Sequence, residues 1–125
     1  MENLKDPAIL AARILLVPVF VIMGYAKIGG YDGTVGYMES KGVAGMFLPL
    51  VIVAEVAGGI LIAVGFFSRW TALALAGFSI LTALVFHMDF ADTAQKIQFL
   101  KNLSIAGGLL MLVAVGPGKY AINDK

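Results

Sequence analysis

One carboxylate constrains this chain more than any other residue. Glu55 stands inside Leu48–Phe67, LPLVIVAEVAGGILIAVGFF, a run of 20 residues with no other charge. At about 1.5 Å of helical rise per residue, such a run crosses the ~30 Å hydrocarbon core of a bilayer. A carboxylate near the middle of a membrane helix costs roughly 2.5–3.5 kcal/mol on insertion scales, and more if it meets lipid unpaired. Glu55 must therefore turn inward, toward partners on other helices. Gly58 and Gly59, one turn further on, strip the side-chain bulk from the helix there, so that another backbone can pass close by.

The remaining sequence supplies those helices. Residues are 60% apolar and 14% charged, with a mean hydropathy of +0.92. The apolar residues come in long blocks rather than short stripes, a pattern of membrane spans and not of a soluble core. Candidate spans run near residues 7–28, 46–67, 70–88 and 94–115. The fold expected is all-α: an integral membrane four-helix bundle of antiparallel transmembrane helices, in a single domain over residues 1–125, with the lipid bilayer as its first partner. A net charge of +1 offers no basic field to attract nucleic acid. With one histidine and no cysteine, disulfides and thiol chemistry are excluded, and a protein metal or haem site lacks its second strong ligand. The start, MENLKDPAIL, mixes charges and precedes no clear cleavage site, so the first apolar block is expected to stay as an anchor.

Along the chain, Asp6-Pro7 reads as an N-cap followed by proline at the first helical position. Pro18 falls within the first span, where a kink is expected, and Lys27 lies close enough to its end to snorkel. Gly29–Gly45, GGYDGTVGYMESKGVAG, is the main polar break: an interfacial loop with a short helix around Tyr37–Lys41, its tyrosines placed as belt residues or as a cap over a pocket. Ser68-Arg69 leaves so little chain that the second and third spans must form an antiparallel hairpin, with Trp70 as an interfacial anchor. Asp92 and Gln95 have the spacing of a capping box. Gly116-Pro117-Gly118-Lys119 ends the last helix, and a short polar tail follows. An even number of spans returns both termini to one side. That side carries Lys5, Arg69, Lys119 and Lys125, so the positive-inside bias favours cytoplasmic termini.

The polar residues inside the spans form one set: Glu55, Lys101, Asn102, His87, Lys27 and Arg13. Glu55 lies about nine residues from the outer surface and Lys101 about seven, a mismatch of ~3 Å at the helical rise. The depths match, so Glu55 is expected to meet Lys101 directly or through one water, with Asn102 nearby; Arg13, deeper, is the competitor. One reading is an ion-pair network that fixes helix register. The other is a polar pocket opening outward, able to hold an amphipathic molecule and move protons. A quinone head suits that chemistry, since its carbonyls accept hydrogen bonds and its reduction consumes protons. Lys101, Asn102 and His87 would donate the bonds and Glu55 would exchange the protons. No residue takes a catalytic role on sequence grounds, and no cofactor is required.

Taken in order, these features resemble the DoxX family of small four-helix bacterial membrane proteins. The likeness runs through Arg13, Phe20, Gly24–Lys27, Pro49, Glu55-Val56-Ala57-Gly58-Gly59, and Gly65 leading to Arg69. It continues through Phe99-Leu100-Lys101-Asn102-Leu103, Gly107-Gly108 and Gly116-Pro117-Gly118-Lys119-Tyr120. The resemblance implies an inner-membrane protein akin to DoxD-type subunits of thiosulfate:quinone oxidoreductases, and with it a redox partner subunit, because this chain has no cysteine of its own. Asn123 stands where many relatives carry Asp, a change expected to matter little at an exposed end. The alternative to a redox subunit is a non-enzymatic assembly or anchoring protein whose buried charges only specify packing. A transporter would need the chain to form a homo-oligomer.

Overall fold

Long apolar blocks with few breakers and no water to bond their peptide groups can satisfy themselves only as helices. The computed structural model, which describes Met1–Lys125, contains helices and no strand. A 3-10 turn at Glu2–Leu4 leads into α1 (Lys5–Gly29); α2 (Tyr31–Ser40) follows at once, then a second 3-10 turn at Gly45–Phe47. The remaining helices are α3 (Leu48–Val64), α4 (Ser68–Phe86) and α5 (Thr93–Val115). α1, α3, α4 and α5 are long and apolar enough to cross a membrane. Only 17–28% of each spanning stretch is buried inside the bundle. Side chains such as Leu15, Leu50 and Met111 face outward, where hydrocarbon covers them. The protein is an all-α, four-helix membrane bundle.

The helices associate as two tight pairs, α1 with α3 and α4 with α5, joined by the α3–α4 hairpin. Glycine placement explains the first pair. A methyl group at Gly24 would lie 2.8 Å from Val56 Cγ2 and 2.9 Å from Glu55 Cβ; one at Gly59 would lie 2.7 Å from Val21 Cγ2. α1 and α3 therefore seat each other's side chains in glycine notches, a contact no larger residue permits. Gly58 faces the other way and receives Leu75 of α4. Phe20, Ile62, Leu75, Leu109 and Leu112 fill the shared core.

At the end where the termini lie, two arginines close the bundle. Arg13 is fully buried and donates to four main-chain carbonyls: Nε to Ile62, Nη1 to Pro117 and Tyr120, and Nη2 to Ala63, at 2.7–2.9 Å. The carbonyls at a helix C-terminus have no intrahelical partner, and the guanidinium supplies it for α3 while holding the tail. Arg69 does the same for α5, donating to Val113, Ala114 and Asp124. Gly65 turns the chain at φ +71° beside Ala121 and Arg13, a place without room for a Cβ.

Several local expectations change. Leu4, not Asp6, precedes α1; the Asp6 carboxylate instead accepts from the Lys119 N–H. Asp92 caps α5 by accepting from Ala94, but Gln95 accepts from Asp89 rather than closing the reciprocal box. Asn123 does not stand at an exposed end. It is half-buried, and its Oδ1 accepts from Phe67, a residue held at φ +50° at the start of α4. The polar break folds further than expected, with ten residues in α2.

Candidate functional site

Away from the arginine end the two helix pairs diverge around a partly open cavity of about 700 Å³. All five helices contribute to its wall. Lys27 comes from α1, Thr34 and Tyr37 from α2, Glu55 from α3, Ser79 and Thr82 from α4, and Lys101 and Asn102 from α5. His87, just past α4, completes it, and Phe20, Met23, Val51 and Phe86 supply apolar wall.

Glu55 is met by Lys27, not by Lys101. Lys27 Nζ lies 2.8 Å from Glu55 Oε1, with the two side chains 26% and 7% exposed. The contact is a close ion pair, and Oε1 itself is buried. Helix partnership, not matching depth, selects the pair. α3 is packed against α1, and Gly24 brings α1 onto Glu55 itself; Lys27 follows three residues later on the same helical face and lands on the carboxylate. Lys101 belongs to the opposite pair and has no carboxylate within ion-pair distance. The Gly24-x-x-Lys27 spacing was the available signal, since a notch and a cation one turn apart mark one face.

Of the sequence-derived set, Lys27, Glu55, His87, Lys101 and Asn102 all line the cavity. Arg13 does not: it lies at the other end, occupied by main-chain carbonyls. Tyr37 is more than a belt residue. Its ring stacks on Phe86 at 5.6 Å, and its hydroxyl donates to the Phe86 carbonyl at 3.3 Å, so α2 roofs the mouth. The His87 Nδ1 is buried with no hydrogen-bond partner. Burial holds this imidazole below the ordinary histidine value, the Lys101 and Lys41 charges push the same way, and a backbone hydrogen bond at Phe86 opposes them. No group of histidine, cysteine and carboxylate side chains is arranged to hold a metal. The cavity offers instead a carboxylate already paired, a free ammonium, an amide, and a neutral imidazole, set in an apolar wall.

The DoxX family model matches residues 8–88, from α1 to the end of α4. The chain belongs to the DoxX family. Its DoxX relatives include two proteins of Escherichia coli K12. Inner membrane protein YqjF is 50% identical over 123 residues, covering 98% of this chain and 95% of its own. Inner membrane protein YphA is 39% identical over 124 residues, covering 94% and 89%. No solved structure matches the chain. With four membrane-spanning helices and full-length relatives of this kind, this DoxX protein is a multi-pass protein of the inner membrane.

Proposed function

We propose that the cavity holds the head of a lipophilic molecule, a quinone by preference, and that the protein serves as the membrane subunit of a redox-linked system. The observation that supports this most is the wall itself: 700 Å³ within the roughly 300–1,000 Å³ of small-molecule sites, apolar over most of its lining, with a few convergent polar groups. A quinone ring would sit against Phe20 and Phe86, its carbonyls turned toward Lys101 and Asn102 of α5 and His87 just past α4. Glu55, paired with Lys27 in the cavity wall, would exchange the protons. With cytoplasmic termini, as the lysine and arginine distribution favours, the mouth faces outward.

A non-enzymatic anchoring role is the second reading. It is favoured by Arg13 and Lys27, whose charges already have partners within the fold. The two diverge in one experiment. Protein purified in a nonionic detergent should melt at a temperature that rises with added benzo- or naphthoquinone, because a ligand that binds only the folded state stabilises it. A melting temperature unmoved by either class would leave the anchoring role.

A further inference from the structure

The charges on the cavity wall do not balance. Two ammonium groups, Lys27 and Lys101, face a single carboxylate, Glu55, and Lys27 holds that carboxylate at 2.8 Å. The other acids at this end of the bundle, Asp32, Glu39, Asp89 and Asp92, are exposed and form no part of the wall. Lys101 is thus a cation without a counter-ion, about two turns inside a spanning helix by its distance from Thr93.

An unpaired charge at that depth is costly unless something neutralises it. Its neighbours on the wall carry no negative charge: the Asn102 amide, and the His87 ring, whose Nδ1 is buried without a hydrogen-bond partner. Nothing on α5 itself can neutralise Lys101, since the helix has no acidic residue between Thr93 and Val115. We infer that the cavity selects an amphiphile whose head carries one negative charge, with Lys101 as its counter-ion and Asn102 beside it. This rests on the reading that the cavity takes a lipophilic molecule, and it specifies the head. A carboxylate on an acyl chain and an ionised hydroxyquinone both meet the requirement. An anion adds a charge-assisted bond that an isosteric neutral head cannot make.

Two matched ligand pairs separate these sources. One is dodecanoate against its methyl ester; the other is a 2-hydroxy-3-alkyl-1,4-naphthoquinone, ionised at about pH 8, against its methyl ether. Binding is measured by calorimetry on the full chain in a nonionic detergent. The anionic member of at least one pair should bind about tenfold more tightly than its neutral partner, equal to ~1.4 kcal/mol. Which pair shows the preference identifies the head. Lys101→Met should abolish the preference and Lys101→Arg should retain it; Lys101 is exposed on α5, so neither change disturbs the core. Neutral members that bind as well as the anions, or a preference that survives Lys101→Met, would overturn the charge inference while leaving lipophile binding intact. Failure of all four ligands to bind would remove the underlying reading as well.

Discussion

Lys27 and Glu55 lie in neighbouring helices at 2.8 Å, and in a bilayer each depends on the other. Removing one partner strands a charge, so Glu55→Gln and Lys27→Met should each cost about 1–3 kcal/mol in unfolding experiments in mixed micelles. The double variant should recover at least ~1 kcal/mol of the summed loss, whereas Glu55→Gln with Lys101→Met should show coupling below about 0.5 kcal/mol. Strong coupling to Lys101 would restore the pairing that depth alone suggests. His87 gives a second prediction at this scale. Folding depresses its pKa by burial, helped by Lys101 and Lys41, so the unfolded chain takes up the proton more readily. Stability is then complete above the ordinary value of about 6.5 and falls as pH drops through the lower folded value. Melting curves taken from about pH 8 to 5 should show that fall, and His87→Gln should flatten it.

At the scale of elements, the α1–α3 pair carries the site because two glycines let the helices close. Gly24→Ala should destabilise by about 1–3 kcal/mol, since the added methyl meets Val56 and Glu55 below 3 Å. Gly77 has nothing within 4 Å, so Gly77→Ala should be neutral or stabilise by up to ~1 kcal/mol. Equal effects in thermal melts would refute the notch. The same elements show what the sequence makes legible. Four apolar blocks with polar breaks announce four spans, because hydrocarbon leaves a backbone no other option. The span ends shift by a few residues, as at α3, which stops at Val64 where Gly65 turns. Helix partnership is harder to read: depth along a helix says nothing of which neighbour stands beside it, so depth alone points Glu55 to Lys101 across the bundle. Asp6 and Asn123 were unreadable for a related reason, since their partners Lys119 and Phe67 come from distant parts of the chain.

The whole molecule divides along its length into a locked end and an open end. Arg13 and Arg69 bind helix-terminal carbonyls and the returning tail at one end. At the other the helix pairs part around the cavity, with α2 across its mouth. This division sorts the polar set that the sequence presents as one group: Arg13 serves closure, while Lys27, Glu55, His87, Lys101 and Asn102 serve the cavity wall. A cavity of 700 Å³ with a free ammonium in its wall should not stand empty inside a membrane. The decisive measurement is native mass spectrometry of the protein released from its own membrane in a mild nonionic detergent. A discrete adduct of one lipophilic molecule per chain is expected, reduced or lost when Ala26, on the cavity wall, is replaced by Trp in protein that still folds. The mass of the bare chain alone, or a ladder of lipid adducts unchanged in Ala26→Trp, would contradict it.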